Sequence, residues 1–178
     1  MALHDDLERI AAAAADHGEV GGVLAAEPGP GRRIYLVAFG DGDERGWLAL
    51  DEQARPISSR ELVREAASIV AMSELAGDVA AGGNLEELRA RLAQLRVTER
   101  PDGIEDAEAA ALALERAVGA PPLVASPAYL DEVGAAAREL ERTLGEQGSP
   151  FANALRASSG AVDSFVREVE ANYRLPLG

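Results

Sequence analysis

The first fifty residues combine one helical pattern with three short apolar runs. Apolar residues recur every three or four positions over residues 3–14, which predicts an amphipathic helix that ends at His17-Gly18. Three runs rich in β-branched and aromatic residues follow, at 20–26, 34–39 and 47–50. Turn-forming sequences separate them at 28–31 and 41–44. The pattern predicts a three-stranded antiparallel meander, and Pro56-Ile57 is a possible start of a fourth strand.

From residue 58 onward the periodicity is helical. Ser58 with Glu61 has the spacing of a capping box and predicts a long helix with a wide apolar face, which we expect to pack on the sheet. Asn84 with Glu87 repeats this spacing and predicts a second helix. A third helical pattern covers residues 104–118 and ends at Gly119.

The last third of the chain predicts two more helices, joined by a short link at 145–148. They begin at Ser126-Pro127 and Ser149-Pro150, and their apolar residues follow steps of three and four. The predicted fold is therefore α+β: an N-terminal helix, a three-stranded antiparallel meander, then five helices that end in a long antiparallel helical hairpin. Because prolines 121 and 122 stop a helix, we place a boundary there. Residues 1–119 form an α+β domain, and the hairpin 123–178 packs on it or on a partner subunit.

Composition removes most of the usual catalytic groups. The sequence contains no lysine and no cysteine, all seventeen basic residues are arginine, and the two histidines, His4 and His17, have no metal-binding spacing. We therefore expect no enzyme activity, no metal and no cofactor. The weakest alternative is an acid–base enzyme that uses Glu61 or Glu65 with an arginine, and it requires a carboxylate whose pKa is raised by burial.

The net charge of −14 narrows the range of partners. A strongly negative protein repels phosphate backbones and anionic lipid surfaces, so we expect neither nucleic acid nor a membrane as partner. No stretch is long and apolar enough for a membrane span, and the lack of cysteine is compatible with a reducing compartment. We expect a cytoplasmic location.

Two features predict binding sites. Trp47 on the third strand, with Tyr35 and Phe39 on the second, fits core packing best. The alternative interpretation is a small-ligand pocket between sheet and helix, with Arg33 or Arg45 as a polar anchor. The apolar stripe of the last helix predicts self-association, because a stripe near the chain end need not be covered by a single domain. That stripe consists of Phe151, Leu155, Val162, Phe165, Val169 and Tyr173.

The order of helix, meander and long helix over about the first eighty residues loosely resembles that of secretion-chaperone-like adaptors. Such proteins hold partners through exposed strands and helix grooves, and the five-helix remainder departs from their pattern. The first hypothesis is a non-catalytic interaction or adaptor protein that acts as a homodimer and meets another protein through its sheet edge or acidic face. The alternative is a small-ligand-binding domain that uses the aromatic pocket.

Overall fold

The computed structural model describes residues 2–40, 45–79, 85–119, 122–145 and 159–178. Within these ranges the chain forms six α-helices and one four-stranded sheet, which confirms the α+β class. The helices are α1 (Ala2–Ala14), α2 (Arg60–Val79), α3 (Leu85–Thr98), α4 (Ile104–Gly119), α5 (Pro127–Leu144) and α6 (Ser159–Ala171). The strands are β1 (Val20–Gly29), β2 (Arg32–Phe39), β3 (Gly46–Leu50) and β4 (Val124–Ala125).

The sheet contains one strand more than the sequence pattern predicts. Its order is β3-β2-β1-β4, in which β1, β2 and β3 form the predicted antiparallel meander. β4 pairs with β1 in parallel, through Ala25 with Val124 and Ala26 with Ala125. A strand of two residues is too short to show an alternating pattern, so the periodicity gave no sign of it.

The ends of the elements follow local backbone chemistry. Gly18 stops the helical segment with a φ of 149°, a conformation that glycine adopts without a side-chain clash. Gly31 has a φ of 69° in the turn between β1 and β2. At the start of α2 the Leu62 N–H donates to Ser59 Oγ at 3.4 Å, so the cap is one residue later than Ser58. The predicted cap at Asn84 and the predicted turn at 41–44 lie outside the described residues.

The described residues fall into two compact units. Unit 1 draws on 1–71, 123–127 and 161–178, and unit 2 on 72–122 and 128–160. In unit 1, α1 packs on one face of the sheet. The buried residues of that cluster are Ile10, Ala14, Ala25, Tyr35, Val37, Phe39, Leu48 and Leu50.

Unit 2 is helical, and its core joins α3, α4 and α5 with Ala76 from the end of α2. α5 contributes Tyr129, Val133, Ala137 and Leu140 to this core, whereas α6 from residue 161 onward belongs to unit 1. The two helices of the predicted hairpin therefore bury their apolar residues in different units among the described residues. The predicted boundary between 119 and 123 stays a prediction, and both compact units are discontinuous in sequence.

Candidate functional site

The strand register separates the residues of the predicted aromatic pocket. Trp47 pairs with Ala38, whereas Tyr35 pairs with Leu50 and Phe39 pairs with Gly46. Paired residues share a face of the sheet and successive residues alternate, so Trp47 lies on the face opposite to Tyr35 and Phe39. A pocket lined by all three rings is therefore not formed.

Arg33 lies on the face of Tyr35, where carboxylates surround it. Its guanidinium is 3.8 Å from Asp6 and 3.9 Å from Glu27. A hydrogen bond to the Tyr35 side chain raises the pKa of Arg33 above its ordinary value, and burial opposes that effect. Tyr35 and Phe39 are fully buried. These contacts stabilise the α1 side of the sheet and do not resemble an anchor for an anionic ligand.

Trp47 is enclosed by α6 instead. Its ring is 1% exposed and meets Phe165 edge-on at 5.3 Å between ring centroids. The Arg45 guanidinium lies 5.3 Å from the Trp47 ring centroid, which is within the range of a cation–π contact. Glu168 accepts hydrogen bonds from Arg45 Nε at 3.2 Å and from the indole N–H at 3.5 Å. Sequence reasoning missed Glu168, because nothing in its spacing connects it with residues 121 positions earlier.

The apolar stripe of the last helix packs within the chain over most of its described part. Val169 is fully buried, Val162 is half-buried, and Phe165 contacts Trp47. Phe151 and Leu155 lie outside the described residues. The predicted reason for self-association, an uncovered stripe, therefore does not apply to residues 165–173. A charged residue at Phe165 or Val169 would damage unit 1 itself and would not test a dimer.

Tyr173 lies beyond the end of α6, in a segment that runs beside β3. The Trp47 N–H donates to the Asn172 carbonyl at 2.9 Å, and the Arg174 N–H donates to the Trp47 carbonyl at 2.8 Å, so the segment pairs with β3 in parallel at Tyr173. The Tyr173 hydroxyl accepts from the Ala49 N–H at 3.0 Å and lies 2.5 Å from the Ile57 carbonyl oxygen. The pattern predicted Tyr173 on a helix because its apolar spacing continues that of α6.

A second segment covers the rest of the β3 edge. The Ile57 N–H donates to the Ala49 carbonyl at 2.9 Å, and Pro56 pairs with Leu50. The turn that brings this segment back is held by Asp51. Burial would raise the pKa of Asp51. Hydrogen bonds from the N–H groups of Arg55 and Gln53, together with the charge and side-chain hydrogen bond of Arg55, outweigh that effect and hold the pKa below its ordinary value. The β3 edge is therefore occupied by the chain itself.

The buried hydroxyl of Tyr173 predicts that the stability of the protein falls at alkaline pH. Burial raises the pKa of its hydroxyl above the ordinary value of about 10, and the Ala49 N–H opposes this. Below pH 10 the hydroxyl is neutral in both states. Above it the unfolded chain loses the proton first, so the stability that this group contributes falls as the pH rises. We expect thermal unfolding of Tyr173→Phe to depend less steeply on pH between 9 and 11 than that of the wild type. Parallel curves would contradict this, and Tyr129, whose pKa burial also raises, is present in both proteins.

β1 presents an open edge. On the side away from β2, only Ala25 and Ala26 have a strand partner among the described residues. Pro122 precedes the paired residues of β4 by two positions and has no N–H to donate, which explains why the ladder does not extend further along β1. Gly21 and Gly22 are exposed, and Leu123 is 79% exposed. In the described part of the chain, no strand pairs with residues 20–24 of β1 on this side.

The described residues offer little else for chemistry. No group of three or more His, Asp or Glu side chains within them could hold a metal ion. His4 and His17 are exposed, and His4 Nε2 is 3.1 Å from Glu8 on the same helix. Glu61 and Glu65 are exposed as well, so neither meets the burial that the enzyme alternative requires. In the described part of the chain, no helix has the length and apolar character that crossing a bilayer demands.

No protein-family model matches the chain, and no curated protein or solved structure is significantly similar to it.

Proposed function

We propose that this protein is a non-catalytic, cytoplasmic interaction protein that binds an extended segment of another polypeptide at residues 20–24 of β1 and acts as a homo-oligomer. The observation that carries the proposal is the contrast between the two edges of the meander. Segments 56–57 and 172–174 occupy the β3 edge. On the edge of β1 that faces away from β2, only two of its ten residues have a strand partner among the described residues.

An unpaired edge strand can pair with another strand, because its backbone N–H and C=O groups are positioned to form a ladder of hydrogen bonds. Residues 20–24 span about 16 Å of strand, enough for four or five ladder positions. Gly22 contributes no side chain, and a Cβ built there meets no atom within 4 Å. A bulky side chain of the incoming strand therefore has room beside it.

The side chains near this edge favour an apolar and basic partner. Val20, Val23 and Leu24 are half-buried and can contact alternate side chains of an added strand. Glu19 and Glu27 lie near the two ends of the edge, and the whole chain carries a net charge of −14. Such a field favours approach of a positively charged segment.

The small-ligand alternative loses its support, because the register puts its aromatic residues on two faces of the sheet. The proposal that the protein is not an enzyme rests on the sequence, which lacks thiols and lysine amines throughout.

A display library of random twelve-residue peptides tests the proposal. We expect selected peptides to alternate apolar residues with Arg or Lys, and hydrogen exchange to show protection at residues 20–24 when a peptide is bound. Each selected peptide is then made in two forms, N-methylated at alternate residues of either parity. In an added strand only one parity points its N–H groups at β1, so one form should bind at least about 10-fold more weakly and the other should bind nearly normally.

Equal loss of binding for the two N-methylation patterns would contradict strand addition at β1. Hydrogen-exchange protection confined to other elements would contradict it as well. The N-methyl pair leaves the protein unchanged, so loss of binding in one form cannot come from an unfolded variant.

A further inference from the structure

Unit 2 has an exposed apolar groove between α3 and α4, with a volume of about 440 Å³. Val97 is 86% exposed and Leu112 is 47% exposed, and these are two of the four large apolar residues that are exposed in the described part of the chain. Ala93 extends the apolar surface along α3. α3 also buries Leu88, Leu92 and Leu95 in the unit 2 core, so this helix is apolar on two sides. An exposed apolar surface of this kind is typical of an interface.

Charged residues border the groove in two rows of opposite sign. Two arginines of α3 form ion pairs with two glutamates of α4. Arg89 Nη1 is 3.1 Å from Glu115 Oε1, and Arg96 Nη1 is 2.5 Å from Glu108 Oε2. In each helix the two charges are seven residues apart, which is about 10.5 Å along the axis. The face is therefore positive along one side and negative along the other, and its four bordering charges sum to zero.

We infer that a second copy of this chain docks on this face. With a two-fold axis parallel to the groove, α3 of one copy lies over α4 of the other, and each arginine row faces a glutamate row. With the axis across the groove, like charges would face each other. The face thus complements itself in one arrangement only.

The local charge of this face is compatible with a second copy as the partner. Two molecules with a net charge of −14 repel each other, and a face whose bordering charges cancel adds little to that repulsion. A strongly basic or acidic partner would find one favourable row and one unfavourable row. The exposed ion pairs contribute little energy, so the apolar residues drive docking and the charges fix its orientation.

The inference deepens the homo-oligomer part of the proposed function and rests on that part. It is independent of the β1 edge, which belongs to unit 1.

Sedimentation of the full chain over about 1–500 µM tests it. We expect the wild type to reach twice the chain mass of 18.6 kDa and Val97→Glu/Leu112→Glu to bind itself at least about 100-fold more weakly, because a buried unpaired carboxylate is costly. Both side chains are exposed in the monomer, so the variant should keep the wild-type circular dichroism. Leu123→Glu, an exposed leucine in unit 1, is the matched control and should keep the wild-type mass.

Charge variants test the orientation. Arg89→Glu/Arg96→Glu makes both rows negative, and Glu108→Arg/Glu115→Arg makes both positive, so each variant alone should be monomeric. An equimolar mixture should restore the dimer mass, since negative rows then meet positive rows.

The outcomes separate the hypotheses. If the wild type remains at 18.6 kDa over the whole concentration range, the homo-oligomer proposal is contradicted, and so is docking at this surface. A dimer that survives Val97→Glu/Leu112→Glu removes only this surface and leaves the homo-oligomer proposal in place. Binding of peptides at β1 is unaffected by either result.

Discussion

Replacing Trp47 with alanine should lower the free energy of unfolding by about 3–5 kcal/mol, the range observed for buried aromatic side chains. Trp47 is 1% exposed, and its ring contacts Phe165 and Arg45 while its N–H reaches Glu168. The substitution leaves a cavity on that face of the sheet and removes the contacts that hold α6 there. No larger single side chain is buried in the described part of unit 1.

Denaturant unfolding followed by far-UV circular dichroism measures this effect, because the variant has no tryptophan to fluoresce. Trp47→Phe keeps a ring and fills part of the cavity, so its loss should be smaller. Leu123→Ala is the surface control and should stay within about 0.5 kcal/mol of the wild type. A loss below about 1 kcal/mol for Trp47→Ala would mean that the Trp47 site relaxes freely, contrary to a close-packed core.

The elements with long, regular patterns could be predicted from the sequence. The three strands of the meander and the helices that begin at Ile104 and Pro127 lie close to where periodicity and caps placed them. In these segments the local signals agree with the burial that the fold imposes. For the strands, alternation and turn residues were sufficient.

The pairings between distant segments could not be predicted. β4 has only two residues, and the segment around Tyr173 continues the apolar spacing of a helix although it pairs with β3. Both depend on partners about a hundred residues away in sequence, and no local preference encodes such a partner. The clearest local signal near β4 is Pro122, but a proline at this position also predicts a domain boundary.

Strand register places the three aromatic residues on different faces of the sheet. Tyr35, Phe39 and Trp47 lie on neighbouring strands, but the six residues between β2 and β3 do not fix which residues pair. A shift of one residue moves a side chain to the other face, so proximity in sequence could not decide whether the rings meet. The leucine stripe of α3 predicts only its buried side, and the α3–α4 face with Ala93 and Val97 lies outside that stripe.

Tyr173→Ala, which loses the ring and the hydroxyl, should destabilise the protein by about 3–5 kcal/mol, and Tyr173→Phe by about 1–2 kcal/mol. The phenylalanine variant keeps the ring but leaves the Ala49 N–H without the hydroxyl that it contacts at 3.0 Å, and it removes the donor to Ile57. Chemical denaturation of both variants, with fluorescence of Trp47 as the probe, measures the two losses. The difference between them is the contribution of the ring.

Asn172→Ala is the matched control for this segment. Its backbone carbonyl accepts from Trp47 and survives the change, while its exposed side chain donates to the Glu168 carbonyl one turn earlier. We expect it to cost less than about 0.5 kcal/mol. If Tyr173→Phe unfolds with the wild-type midpoint, the hydroxyl does not hold segment 172–174 against β3. The backbone hydrogen bonds that Asn172 and Arg174 make with Trp47 would then hold the segment without a contribution from the hydroxyl.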